Sequence, residues 1–224
     1  MYLQKITFDN EKLNGYRKKK DDIYTLHQKI WRIASQSEHQ KRDFLYRVEY
    51  DAYRNIKFIY LLAPYKIKQQ KNYKIAISPK FEPQVKTGES LYFKLRANPI
   101  VRKRENGRAK DCDIIMNAKH QFKRKGRSYL DLFSMDELIH STGLEWIKRK
   151  GELHGFSVQK FDVKVDNYQE YKIQSASKRR FLLRTLDFEG KLTITNINRF
   201  KTMLFWGIGR SKAFGCGLML VRRI

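Results

Sequence analysis

The sequence predicts an α+β protein made of two small units, each with its own apolar core. Two observations lead there. Alternating, strand-like runs recur in both halves and outnumber the helical ones. These runs are also too polar and too irregularly spaced for an open parallel sheet, whose strands are nearly continuous apolar segments joined by regular crossover helices. With 224 residues the chain is long enough for two such units. The junction falls within 85–102, and we divide the chain into domains 1–92 and 93–224.

The elements follow in order. "MYLQKITF" alternates and reads as a strand. After the basic "NGYRKKK", Asp21 or Asp22 is placed to cap a helix in which Ile23, Leu26, Ile30 and Ile33 share one face. "DFLYRVEY" and "IKFIYLLA" are two further strands, the second stopped by Pro64. Residues 65–85 hold a short hairpin or an irregular connection. "SLYFKLRANPI" is a strand ending near Pro99, because proline removes a ladder donor. Residues 102–127 are densely charged and read as a mobile basic loop or a hairpin turning at Asn106-Gly107. The next helix starts at Ser134, whose spacing to Glu137 is that of a capping box, and is expected to end at Gly151. "FSVQKFDVKV" and "YQEYKIQS" are expected to form a hairpin around Asp166-Asn167. A strand at 180–196, a short helix from Ile197 and a last strand, "GLMLVRRI", complete the chain.

The charge is lopsided. Lys and Arg number 48 against 23 Asp and Glu, a formal +25. Such an excess speaks about partners rather than fold. Nucleic acid is the leading partner, since each neutralised phosphate releases a counterion. An anionic membrane surface is second, without a long basic amphipathic helix to support it. No segment is long and apolar enough to span a bilayer, and the N-terminus has no apolar signal region. Two cysteines, Cys112 and Cys216, are too few for a disulfide framework or a cysteine zinc site. We therefore expect a cytoplasmic, reduced protein. His39, His120, His140 and His154 show no metal-ligating spacing, so no metal and no other cofactor is expected, and no phosphate-binding G-x-x-x-x-G-K-[ST] loop is present.

Three features remain as candidate chemistry. In "YTLHQKIW", Tyr24 and His27 are neighbours at i and i+3; His27 sits on the shoulder of the apolar helix face, and Tyr24 and Trp31 lie further round the same side. Histidine can take a proton from a hydroxyl or give one to a leaving oxygen, and a ribose phosphodiester supplies both. A histidine beside an apolar face is also, and more often, structural. The second feature is "WGIGRSKAFGCG". Its glycines allow close backbone approach, and Arg210, Ser211 and Lys212 are placed to cradle a phosphate; a plain turn before the last strand explains it equally well. The third comprises cations. Lys172, Lys178 and Arg180 would share one face of an unbroken strand, with Arg179 beside them, and Arg102, Lys103, Arg104, Arg108 and Lys110 extend the basic surface. A solvated charge run is the bland account of both.

Taken together, "YTLHQKIW", "LYFKLRANPI", "DFEGKLTI" and "GIGRSKAFGCGLM" resemble the CasE-type CRISPR RNA endonucleases of type I-E systems, in order and in spread along the chain. That resemblance implies two tandem ferredoxin-like (RRM-like) domains, the first carrying the catalytic helix and the second a basic RNA-binding surface. It implies metal-independent cleavage of CRISPR repeat RNA at the base of its hairpin, leaving 2',3'-cyclic phosphate and 5'-hydroxyl ends. The enzyme would retain its product, the mature crRNA, and join the subunits of the Cascade complex. His27 stands where the family has its principal catalytic residue, and Tyr24 matches its helper tyrosine. Residues 207–217 match the family's glycine-rich stretch, and 178–180 fall where it has RNA-contacting cations. The alternatives are a non-catalytic RNA-binding subunit of a ribonucleoprotein complex and a metal-dependent nuclease.

Overall fold

The computed structural model describes residues 1–8, 23–35, 42–51, 56–69, 71, 73–105, 107–124, 126, 134–174 and 180–224. The chain divides into two compact units. One comprises residues 1–84, 171–183 and 211–218; the other comprises 85–170, 184–210 and 219–224. Among the described residues, no helix is long and apolar enough to cross a membrane.

In the first unit, strands β1 (Tyr2–Phe8), β2 (Leu45–Asp51), β3 (Ile56–Ala63) and β4 (Tyr73–Lys80) form an antiparallel sheet in the order β2-β3-β1-β4. Helix α1 (Ile23–Ala34) supplies Ile30 and Ala34 to a core with Ile6, Phe44, Tyr46, Ile59, Leu61, Ala63 and Tyr73. Leu26, Trp31 and Ile33 pack against its margin. The alternation read in "MYLQKITF" sends Ile6 and Phe8 to this core, with Gln4 fully buried beside them. Gln4 is satisfied by the segment after β3: its Nε2 donates to the Tyr65 carbonyl at 3.1 Å, and its Oε1 accepts from the Ile67 N–H at 2.7 Å. That buried amide explains why residues after Pro64 follow an irregular path before β4, rather than forming a hairpin of their own. The expected caps Asp21 and Asp22 lie outside the described residues.

The second sheet is antiparallel and consists of β5 (Ser90–Ala97), β8 (Phe156–Ser157), β10 (Arg180–Ile194) and β11 (Met219–Arg223) in the order β11-β5-β10-β8, and β9 (Val163–Gln174) pairs with β10; residues 171–174 of β9 and 180–183 of β10 are counted with the first unit, the rest with the second. Along β5 every second residue is buried, namely Leu91, Phe93, Leu95 and Ala97. Helix α3 (Met135–His154) begins with the expected capping box, Ser134 and Glu137 satisfying each other's backbone N–H. Helix α4 (Ile197–Trp206) is capped by Asn196, whose side chain accepts from the Arg199 N–H at 3.0 Å.

Several expectations are corrected. Gly151 does not end α3; the helix continues to His154 and is closed by Gly155, in the left-handed conformation at φ 77°. Gly151 is instead a packing residue, since a Cβ there would lie 2.3 Å from the Phe156 carbonyl oxygen. There is no hairpin at Asp166-Asn167. β9 passes through both residues, and Asn167 takes φ 55° while its amide donates to Asp187 Oδ2 at 2.6 Å. Asparagine tolerates this conformation, so the strand is locally distorted rather than reversed. Residues 102–127 are part hairpin, with β6 (Ile100–Glu105) paired to β7 (Arg108–Asp113) and Gly107 at φ 75°; Asn106 lies outside the described residues. They also contain an unexpected helix, α2 (Ile114–Arg124), which packs on α3 and buries Ile114 and Ile115.

Gly190 on β10 lies so close to the backbone before β9 that an added Cβ would sit 1.9 Å from the Asp162 carbonyl oxygen. We expect Gly190→Ala to lower the unfolding free energy by about 3 kcal/mol or more, as buried steric conflicts do. Gly88→Ala, at φ 83° in open space, should cost only about 1–2 kcal/mol from backbone strain. Urea titrations of both variants test the contrast.

Candidate active site

Helix α1 holds the candidate histidine because its apolar stripe must face the sheet, which leaves His27 on the shoulder of that stripe, half-buried. Its imidazole lies within an aromatic group. Ring centroids are 6.1 Å away at Tyr24, 6.2 Å at Trp31 and 5.2 Å at Phe214. Phe214 ends the short 3-10 turn Lys212–Phe214, and its ring is in turn 5.4 Å from that of Phe181. All of these residues belong to the first compact unit.

A single carbonyl organises the site. The Tyr46 hydroxyl, reaching from β2, donates to the Ala213 carbonyl at 2.8 Å. The His27 ring hydrogen-bonds to the Ala213 backbone as well, an interaction that favours the protonated ring and so has the ring donating. In neutral imidazole one nitrogen donates and the other accepts. An N–H committed to Ala213 leaves the second nitrogen as the acceptor, which is the form a general base needs. Burial, the largest influence, lowers the His27 pKa from its ordinary value; the Ala213 bond opposes this, and the charge of Arg42 adds to it. The Tyr46 phenol is pushed far upward, chiefly by burial, and therefore stays a donor.

The turn that presents Ala213 needs unusual backbone. Ser211 has φ 56° and Gly215 φ 79°, and a Cβ on Gly215 would approach the Tyr46 ring to 3.1 Å. Glycine is thus required at 215 on two counts.

The remaining expected residues are dispersed. Ser211 and Lys212 share the first unit with His27, and burial, with the nearby Arg42 charge second, lowers the Lys212 pKa. Arg210 belongs to the other unit, where it pairs with Asp111 and, after burial itself, contributes to lowering the pKa of Lys150. Lys172 and Arg180 do not share one unbroken strand: β9 ends at Gln174 and β10 begins at Arg180. Both nevertheless line one cavity of about 410 Å³, with Ile173, Gln174, Phe181 and Leu182. Lys178 and Arg179 lie outside the described residues. On the basic hairpin, Arg102, Arg104, Arg108 and Lys110 are exposed, and Lys103 faces Lys110 directly across the ladder. Like charges in that position repel, and an anion lying over them would relieve the repulsion. Among the described residues, no group of three or more His, Cys, Asp or Glu is placed to hold a metal ion.

Arg42 and Tyr46 escaped the sequence reading. Tyr46 looked like one aromatic among many in a strand, and Arg42, just before β2, has no motif around it. We expect Tyr46→Phe, which keeps the ring and removes one hydrogen bond, to cost about 1 kcal/mol of stability in urea unfolding. An unchanged midpoint would show that the Ala213 carbonyl does not depend on the phenol.

Comparison with known proteins adds to this geometry. The Cascade subunit CasE of Escherichia coli strain K12 is 29% identical over 199 residues, which is 88% of this chain and 90% of that protein. The fold is similar to the crystal structure of Cas6e from Escherichia coli str. K-12, with a TM-score of 0.67 at 24% identity and 100% of both chains covered. It is also similar to Thermus thermophilus Cse3 bound to an RNA representing a pre-cleavage complex, with a TM-score of 0.67 at 20% identity, covering 99% of this chain and 98% of that one. A family model described as "CRISPR associated protein" matches residues 1–223. With that match running nearly end to end, the chain belongs to the CRISPR-associated protein family.

Proposed function

We propose that the chain is a metal-independent endoribonuclease that cuts CRISPR repeat precursor RNA at the base of its hairpin and retains the product. The observation that carries this reading is the half-buried imidazole of His27, kept toward its neutral form and tied by one nitrogen to the Ala213 carbonyl within a cationic surrounding. Similar proteins support it by their own descriptions, as a Cascade subunit and as an endoribonuclease bound to RNA. Both units read as ferredoxin-like. The orders β4-β1-β3-β2 and β11-β5-β10-β8 each set the first strand between the fourth and the third, as the β-α-β-β-α-β arrangement requires, although no second helix is described between β3 and β4.

The reaction needs little more than positioning and charge. His27 takes the proton of the 2'-hydroxyl. The 2'-oxygen attacks phosphorus, the bond to the 5'-oxygen breaks, and that oxygen takes a proton from solvent water, to which the His27 imidazolium then returns the proton it accepted. The products are a 2',3'-cyclic phosphate and a 5'-hydroxyl. Tyr24 is within reach to orient the hydroxyl or a phosphate oxygen. Alignment of the attacking oxygen with the leaving group supplies much of the rate, and cations stabilise the charge that grows on phosphorus oxygens. Lys212, Lys172, Arg180 and the basic hairpin at Arg102, Lys103, Arg104, Arg108 and Lys110 would hold the RNA backbone, with Lys178, Arg179, Arg210 and Ser211 adding to that grip. Mature crRNA and the other Cascade subunits would be the lasting partners.

A cleavage assay on repeat hairpin RNA in EDTA tests the reading. Wild type should cut once; His27→Ala should lose at least about 100-fold in rate, as for removal of a general base, and still bind. A 2'-deoxy nucleotide at the cleavage position should stop the reaction. Since kcat/KM reports the free enzyme, its acid limb should lie below the ordinary imidazole pKa of 6.5, with the rate rising as pH rises through it and then levelling. Intact RNA at high enzyme concentration would instead favour a purely binding subunit. Separately, neutralising Lys178, Arg179 and Arg180 should weaken binding and reduce the slope of log affinity against log salt by about one for each phosphate left without its cation. An unchanged slope would remove these residues from the interface.

A further inference from the structure

Arg42 sits just before β2, half-buried, in the same compact unit as α1 and the 211–218 turn. Its Nη1 is buried and has no hydrogen-bond partner. A guanidinium carries its donors in a rigid fork, and burying one without an acceptor is costly. Natural structures rarely leave such a donor without a reason. The surroundings sharpen the point. The Arg42 charge acts on both His27 and Lys212, in each case second or third to the other influences named above, and both groups become harder to protonate. Arg42 itself is affected first by burial, with the Tyr46 phenol opposing. Arg42 is therefore held where its charge disfavours a positive charge on both His27 and Lys212. An arrangement of this kind is strained when empty and relieved by an anion.

Resting on the endoribonuclease reading above, we propose that Arg42, together with Lys212, grips the non-bridging oxygens of the phosphate under attack beside His27. The chemistry fits that anion. A phosphodiester presents two such oxygens in a fork that a guanidinium matches. Their negative charge rises as the 2'-oxygen adds, so a cation fixed in a partly desolvated place stabilises the transition state more than the ground state. Arg42 then serves in two ways. Before RNA binds, its charge favours the unprotonated imidazole. Once phosphate is bound, that charge is neutralised, and His27 can accept the 2'-hydroxyl proton with less opposition. The titratable groups around this centre are Tyr24 on α1, Tyr46 on β2, and Lys212 and Cys216 in the glycine-rich turn.

The test uses the full chain and the variants Arg42→Ala and Arg42→Lys, with three readouts: single-turnover cleavage of hairpin RNA, affinity for the uncleavable 2'-deoxy hairpin, and the His27 titration followed by NMR of its ring carbon with and without inorganic phosphate. Arg42→Ala should cut about 100-fold more slowly, in the range for losing one charge-stabilising donor, while affinity for the deoxy hairpin falls far less. Arg42→Lys should recover part of the rate. In wild type, phosphate should raise the His27 titration midpoint. In Arg42→Ala that response should vanish, and the phosphate-free midpoint should be higher than in wild type. Near-normal cleavage by Arg42→Ala, or an identical phosphate response in both proteins, overturns the proposal. If Arg42→Ala does not fold, a wild-type rate in Arg42→Lys together with no phosphate response in wild type overturns it equally. Failure of wild type to cut RNA would refute the endoribonuclease reading instead, and the phosphate titration would still decide the anion site.

Discussion

The Ala213 carbonyl is the point on which the site turns, because it accepts from Tyr46 at 2.8 Å and is tied to His27 as well. A carbonyl oxygen has two lone pairs, so both bonds can be made at once. Each partner is delivered by a different part of the core. Tyr46 joins the core to which α1 contributes, as do Phe44 and Val48 two residues to either side, and β2 is paired to β3 in a register that sets Tyr46 opposite Leu61. A slip of one residue would turn that whole face outward and take the phenol with it. His27 arrives from α1, whose rotation is fixed by Ile30 and Ala34. The carbonyl itself is presented by a turn that depends on left-handed backbone at Ser211 and Gly215. Packing thus decides ring orientation, and ring orientation decides which imidazole nitrogen bonds to Ala213.

Charge operates in this protein at two levels. The exposed cations of the β6-β7 hairpin lie in water, where salt screens them over about 10 Å. They suit affinity for a polyanion and contribute little to chemistry. Arg42, Lys212 and His27 are partly withdrawn from water, where a charge acts more strongly on its neighbours. Burial there does what net charge cannot. It separates a histidine held toward its neutral form from cations that remain charged, although burial lowers the pKa of all three. The difference lies in where each starts: an imidazole titrates close to neutrality, so a modest downward push keeps it unprotonated, whereas a lysine or arginine has a wide margin before losing its proton.

What could be read from the sequence followed how local its cause was. The first strand, α1, the Ser134 capping box and the alternation of β5 are set by neighbours a few residues apart, and each stood where periodicity placed it. Helix α2 was hidden because only Ile114 and Ile115 are buried, so it carries too few core positions for a helical period to stand out among its polar and basic residues. Asp166-Asn167 carried the composition of a turn, yet the long β10 offered a continuous partner and the strand ran on. Gly151 looked like a helix end, but its smallness answers to Phe156. The site divides in the same way. Tyr24 and His27 are neighbours by helical spacing, but only the family resemblance set them above a structural role as a candidate pair, whereas Ala213 is distant in sequence from Tyr46 and meets it only after the chain has folded. The contiguous run Arg210, Ser211 and Lys212 is split in the opposite sense, with Arg210 held by Asp111 in one compact unit and the next two residues counted in the other. Spacing along a chain reports which face of an element is buried. A catalytic constellation depends on which faces then meet, and that information resides in the pairing of strands, not in any single stretch of residues.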